Sequence, residues 1–444
     1  MSLAVDTTES RMAIQALIEK AEERGIMLWV EQGALKFRAP QGALTDDLKQ
    51  LLKAHKADLI THLSEQNGRA EYQRAPLSFG QERIWYLQQL EPERNDFAVF
   101  SAFHLSGEID LTLLDRVLVM FVERHEQLRC SFPDINRRPY QQIHPAPETI
   151  LVCEESIEAG SLADAKEAAR SQVYKESERP YDLKKGPLFR ACYFPLTYPG
   201  QRTPDGILLF KIHHIIMDGS SADLFYREFS HIYQALKRGA LPNLPELSLN
   251  YTDYAAIQRS QTKSKPYLDG RNFWVDYLKD APLRLELPPD YTRPPQNDFR
   301  AGSHQFKLDD STTQSVRRFC SEQHLTPFQF FISIYGAMLN RLTQHDDLLV
   351  GVPVSSREEP GLENLFGLLL STVPVRVKGG GNLSFEDLLK YNRGSLLDAF
   401  DHKDIPFEQI VEDINPPRER DVNPLFQVFF NQLPHDSQNF KLDG

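Results

Sequence analysis

Two adjacent histidines, His213 and His214, end an apolar run, ILLFKI (207–212), and Asp218 and Gly219 follow shortly after. Imidazole titrates near 6.5, so a neutral ring at a strand end facing a cleft can act as a base at cellular pH. Neighbouring side chains on an extended segment point to opposite sides. The two rings therefore cannot share a role: one faces the cleft, the other the interior. Asp218 is placed to orient the loop by pairing with a buried cation. Gly219 permits either a positive φ or a close approach of backbone to ligand. Metal binding is disfavoured, because adjacent histidines on a strand diverge and no Asp/Glu/His cluster at ligand spacing completes a site. Serine hydrolase chemistry has no G-x-S-x-G elbow to rest on.

The elements around the pair must hold it in place. ILLFKI has strand length and continuous apolarity, the pattern of a strand buried on both faces. SADLFYREFSHIYQALKRG (221–239) is predicted to be a helix, with Ser220 and Asp223 as a capping-box-like start and Gly239 as its stop. Its apolar face is Leu224, Phe225, Phe229, Ile232 and Leu236. Further helices are predicted within PLSFGQERIWYLQQL (76–90), capped by Ser78, and over 112–126, ending near RHEQLR. ALPNLPELSLN (240–250) is Pro-rich and reads as a crossing between halves. Beyond it come a helix at 326–343, a strand in DLLVGVPVSSR (347–357), a strand in STVPVRVK (371–378) with its alternation broken by Pro374, and a helix at 384–402. The halves share a rhythm. DLLVGVPVSSR stands where a duplicate of the histidine strand would lie, but it carries no histidines. That predicts an asymmetric pseudo-dimer with one active centre.

The 444 residues exceed one ordinary core and predict two or three domains. A composition of 41% hydrophobic and 25% charged residues is that of a globular protein. A net charge of −12, with no basic stripe, argues against nucleic acid as a partner. MSLAVDTTES lacks the basic and apolar regions of a secretory signal. No apolar run reaches the ~18–20 residues of a membrane helix. Cys130, Cys153, Cys192 and Cys320 are scattered, with no C-x-x-C pair, which predicts reduced thiols in a cytosolic (cytoplasmic) protein.

Residues 1–66 form a separate α-β-β-α pattern. Ile14, Leu17, Ile18 and Ala21 share one helical face, and Gly25 stands at the stop. IMLWV (26–30) and LKFRA (35–39) read as a hairpin joined through Gly33, ended by Pro40. Thr45 is the predicted cap of a helix over 46–65, with Leu48, Leu51, Leu52, Leu59 and Leu63 as its stripe. Lys36 and Arg38 fall on one side of the second strand. They either keep an open edge soluble or receive an extended acidic peptide added as a further strand. Residues 67–76 are polar, without periodicity, and read as a linker.

HHIIMDG (213–219) resembles the HHxxxDG signature of nonribosomal peptide synthetase condensation domains, in the chloramphenicol acetyltransferase-like superfamily. Six other stretches resemble that family's motifs in order. They are LSFGQERIWYLQQL (77–90), RHEQLRCSF (124–132, with Cys130 where Thr is usual), YTDYA (251–255), LFGLLLSTVPVRV (365–377, with Leu370-Ser371 for Val-Asn), HKDIPFEQIV (402–411) and NPLFQVFF (423–430). The resemblance implies that His214 faces the reaction centre and that His213 is structural. It implies that Asp218 pairs with Arg129 and that the Gly219 amide lies near a thioester. It implies a V-shaped pseudo-dimer of two subdomains, 77–245 with HHxxxDG and 246–444, with a tunnel between them. Trp85, Tyr251 and Phe426 read as core aromatics.

The implied reaction joins an acyl thioester on an upstream carrier protein to the amine of an aminoacyl thioester on a downstream one. No metal or directly bound cofactor is implied; the phosphopantetheine arms belong to the carriers. GIMLWVEQGALKFRAPQGALTDDLKQLLKAHK resembles the N-terminal docking domains of the tubulysin-synthetase type. That implies that the C-terminal tail of an upstream synthetase polypeptide adds to the hairpin, and it allows a homodimer through this domain. The fold class expected overall is α/β (α+β). A CoA-thioester-dependent acyltransferase and a non-catalytic carrier-docking platform are the alternatives. An epimerization domain would typically carry Ser-Trp where Ser220-Ser221-Ala222 stands, and a cyclization domain would carry Asp in place of His213. Condensation domains usually continue past the seventh motif, so the stop at Gly444 reads as a fragment end or a shortened chain.

Overall fold

The structure is a computed structural model that describes residues 73–93, 95–291, 301–381, 383–417 and 422–433, with most of 26–60, Arg24 and five helical positions from Ile14 to Ala21. Gly25, Gly33, Pro40 and Leu63 lie outside the described residues.

The small N-terminal body has the expected elements. Ile14, Leu17, Ile18 and Ala21 are helical and pack with Ile26, Leu48, Leu52 and Leu59 in one core. Strands Met27–Glu31 and Ala34–Arg38 pair antiparallel, with Leu28 opposite Phe37 and Trp29 opposite Lys36. Helix Asp46–Ala54 follows Thr45, which is extended as an N-cap must be but makes no side-chain cap bond. The single helix expected over 46–65 breaks at His55 and resumes over 56–60.

Contacts divide the chain into two compact units. The first holds residues up to Thr262 together with Arg357–Leu369, and the second holds Lys263–Ser356 and the described chain from Leu370 onward. The boundary read at 245/246 therefore falls inside the first unit. The reason is local: helix Tyr251–Ser260 buries Tyr251 and Thr252 in that unit rather than beginning the next. The linker read over 67–76 also ends early. Gln73–Ala75 form a short strand paired with Gln141–Ile143.

In the first unit the histidine strand, Asp205–His213, is paired on both sides, with Phe189–Thr197 and with Ala98–Ser106, all antiparallel. Alternate residues meet different helices. Phe210 packs against Phe225 and Phe229 of helix Gly219–Lys237. Leu209 packs with Val173 of helix Leu162–Glu178. A central strand with helices on both faces has no solvent side, which is why ILLFKI is apolar at every position but one. Its one charge, Lys211, is buried. Its ammonium donates to the Glu176 carbonyl at 2.8 Å and to that of Arg179, at the end of helix Leu162–Glu178, and burial lowers its pKa to about 8.

In the second unit, strands Asp347–Ser355 and Leu370–Lys378 pair antiparallel over nine positions. Gly351 also exchanges backbone hydrogen bonds with Val428 and Phe430. Helices Lys265–Tyr277, Pro327–Thr343, Phe385–Asp401 and Phe407–Ile414 contribute Trp274, Ile332, Leu396 and Ile410 to the core against Val350, Val352 and Val375. No helix among the described residues is long and apolar enough to cross a membrane.

Candidate active site

The strand ends at His213 and the chain turns through a 3-10 helix, His214–Ile216. The two imidazoles separate as their alternation requires. His213 is 2% exposed, its ring edge-on to Tyr181, and its Nδ1 accepts from the Ile215 amide at 3.1 Å. Burial, with help from the neighbouring His214 and Lys211 side chains, pushes its pKa down to about 3, so it stays neutral. His214 is part-exposed. Its amide donates to the Phe97 carbonyl at 2.6 Å, while its buried Nδ1 has no hydrogen-bond partner.

Asp218 caps the next helix. Its Oδ1 accepts from the Ser221 amide at 2.8 Å, so the cap is Asp218 rather than the expected Ser220. Oδ1 also meets Arg357 Nη2 at 2.8 Å, and Oδ2 accepts from the Leu369 amide at 2.9 Å. The buried cation predicted for Asp218 is therefore Arg357, not Arg129. The Arg129 guanidinium instead donates to the His144 carbonyl at 2.6 Å, within its own local sheet region. Arg357 continues to the Gly367 carbonyl at 3.1 Å and to that of Leu365, and the Gly367 amide donates to Ser221 Oγ at 3.1 Å. The aspartate thus ties the segment 365–369 to the turn after His214.

Gly219 opens helix Gly219–Lys237 without a positive φ, and a Cβ there would meet no atom within 4 Å. Neither left-handed backbone nor protein crowding accounts for the glycine.

Other motif residues hold this region together. Arg124 Nε and His125 Nε2 both reach Glu228 Oε2, at 3.1 and 2.8 Å. Burial lowers the His125 pKa against the opposing pull of Glu228. Glu126 Oε1 accepts from the Thr252 amide at 3.2 Å and hydroxyl at 2.6 Å. Tyr251 donates to the Leu368 carbonyl at 2.6 Å and shares a 2.9 Å bond with Ser78. Trp85, Tyr251 and Phe426 are all buried core rings. Lys36 and Arg38 lie on the hairpin's second strand, opposite Trp29 and Met27, far in sequence from the histidines; their side chains lie outside the described residues, apart from the exposed position of Lys36's neighbour Phe37. Sequence reasoning missed Arg357, although the strand it follows was identified, and it missed Ser221 and Gln81. A lone arginine after a strand carries no local mark of its partner.

Comparison with known proteins gives this arrangement its family. The Condensation domain family matches residues 71–442, and the TubC N-terminal docking domain family matches residues 14–65. The chain is 32% identical over 369 residues to malpinin synthetase of Mortierella alpina, a match that spans 83% of this chain and 5% of that one. In fold it is similar to the X-domain from teicoplanin biosynthesis, with a TM-score of 0.70 at 25% identity, covering 80% of this chain and 77% of that one. It is likewise similar to the first condensation domain of the CDA synthetase, with a TM-score of 0.67 at 21% identity, covering 84% of each. The first unit's helix-flanked sheet, its HHxxxDG turn and these likenesses define one class: the α/β condensation fold of peptide synthetases. The chain belongs to the Condensation domain family, and its residues 14–65 match the TubC N-terminal docking domain family. It spans about a twentieth of the length of malpinin synthetase.

Proposed function

We propose that this chain forms an amide bond between two carrier-bound substrates. The amine of a downstream aminoacyl thioester attacks the carbonyl of an upstream acyl or peptidyl thioester. A C–N bond forms, the C–S bond breaks, the upstream carrier's thiol leaves, and the product remains on the downstream carrier. The observation that carries this reading is His214: a part-exposed imidazole with an unpartnered Nδ1, at the end of a central strand and fixed by its own backbone bonds.

A neutral imidazole there can take the amine's proton as the amine attacks, which is worth about 10²–10⁴-fold, or orient the amine and stabilise the oxyanion. Asp218 has both oxygens committed to amide and guanidinium donors, so its part is to hold the loop rather than to move protons. The open space at Gly219 supports its backbone amide as the contact for the thioester. The phosphopantetheine arms arrive with the carriers, as part of the substrates.

The docking domain supports recruitment of an upstream synthetase polypeptide. An acidic C-terminal tail would add to the Met27–Glu31/Ala34–Arg38 hairpin, with Lys36 and Arg38 supplying charge. Self-association through the same domain, giving a homodimer, is compatible with this. Single-turnover transfer between two loaded carrier proteins, with wild type beside His214→Ala, tests the central reading.

A further inference from the structure

Gln81 sits in the first turn of helix Phe79–Leu90 and is 0% exposed. Its amide has one orientation. The Ser78 amide donates to its Oε1 at 3.1 Å, which turns Nε2 inward. There Nε2 donates to Gln127 Oε1 at 2.9 Å and lies 3.2 Å from the Ile215 carbonyl and 3.3 Å from Gln141 Oε1. Gln127 Nε2 donates to Gln141 Oε1 at 2.7 Å, and Gln141 Nε2 donates to the Pro76 carbonyl at 2.6 Å. Three buried glutamines therefore form a directional chain in which every amide is set by its neighbour.

Ile215 follows His214 in the 3-10 turn. Of the turn's other backbone groups, the His214 amide donates to the Phe97 carbonyl at 2.6 Å. The Ile215 amide donates to His213 Nδ1, and the Met217 amide donates to the His214 carbonyl at 3.3 Å. The Ile215 carbonyl is held from outside, by Gln81. A buried carbonyl left without its donor is costly enough to favour a rearranged turn.

We propose that Gln81 is a positioning residue for His214, acting through the Ile215 carbonyl to fix the turn that aims the imidazole. This rests on the reading of His214 as the reacting group. Of the three glutamines, Gln81 is the one bonded to the turn, so its loss affects His214 differently from the loss of its partners.

The test uses the full chain labelled with 15N-histidine, with the His214 ring signals assigned by their disappearance in His214→Gln. Gln81→Met and Gln127→Met each remove one amide at nearly constant length, but Gln81→Met alone frees the Ile215 carbonyl. Gln81→Asn is a milder variant, one methylene too short for the contact. The His214 signals are expected to move in Gln81→Met and Gln81→Asn, and to stay in place in Gln127→Met whatever it does to Tm. Amide transfer by the Gln81 variants is expected to fall on the order of tenfold in kcat, with KM within about twofold, as a small misplacement of a reacting group predicts. Unmoved His214 signals in both Gln81 variants, or an equal movement in Gln127→Met, would overturn the proposal. The signals are read without substrate. Turnover by His214→Gln would therefore refute the reaction reading without touching Gln81's role.

Discussion

Arg357 Nη2 lies 2.8 Å from Asp218 Oδ1, so a guanidinium 139 positions further along the chain is bonded to the HHIIMDG motif. Arg357 is 10% exposed and Asp218 2%. Removing either partner leaves the other charge buried. Asp218→Ala or Arg357→Ala is therefore expected to cost roughly 3–5 kcal/mol, measured by urea unfolding. The double variant should cost much less than the sum. Arg129→Ala, by contrast, should add simply to Asp218→Ala, because Arg129 bonds His144. Additive losses for Asp218 and Arg357 would mean that the pair does not exist in solution.

The pH dependence of stability follows from His213. Its folded-state pKa of about 3 lies below the ordinary 6.5, so the unfolded chain takes up the proton first. The stability is present above pH 6.5 and is lost as pH falls towards 3. At a pH of about 5 the loss from this group is about 2 kcal/mol. His125, also lowered, adds to the slope. His213→Asn keeps an acceptor for the Ile215 amide and removes the titration. It should flatten the stability profile between about pH 7 and pH 5 by that amount. An unchanged slope in the variant would place a different group in control.

In the second unit Gly351 meets the Phe426 ring so closely that a Cβ would lie 2.3 Å from Cε2. Gly351→Ala should cost about 1–3 kcal/mol by overpacking. Phe426→Leu in the same chain should recover part of that loss. A stable Gly351→Ala protein with an unchanged Tm would show that the strand and ring can separate.

Lys36→Glu with Arg38→Glu should weaken binding of an acidic C-terminal tail peptide at least about tenfold, and more strongly at low salt, where charge–charge attraction is least screened. Isothermal calorimetry reads this directly. An unchanged Kd would remove the second hairpin strand from the docking surface.

What the sequence revealed and what it withheld divide along physical lines. Helix starts were legible because their signals are local. Ser78, Thr326 and Ser384 each accept from an amide three residues on. The central position of the histidine strand was legible because burial on both faces leaves no polar alternation. The pairing of Asp218 was not legible, because one arginine after one strand has no pattern linking it to a carboxylate far away in the chain. Ser220 looked like the cap because it is a good cap residue beside a helix; Asp218, two residues earlier, does that work while also holding Arg357. Gln81 is a polar residue between Gly80 and Glu82 with no sequence mark of burial, yet the helix turns it inward. The Pro-rich stretch 240–250 looked like a domain crossing, but Tyr251 and Thr252 fold back into the first unit.

The most direct test of the central claim is single-turnover transfer read by intact-protein mass spectrometry. Acyl donors are offered on a carrier protein and, separately, as CoA thioesters, with an aminoacyl carrier as acceptor, to wild type and to folded His214→Ala. A mass increase on the acceptor carrier equal to the acyl group is expected from carrier-bound donors, with nearly all of it lost in His214→Ala. Equal product from the variant would contradict the role of His214, and product from CoA thioesters alone would contradict the carrier-to-carrier reaction.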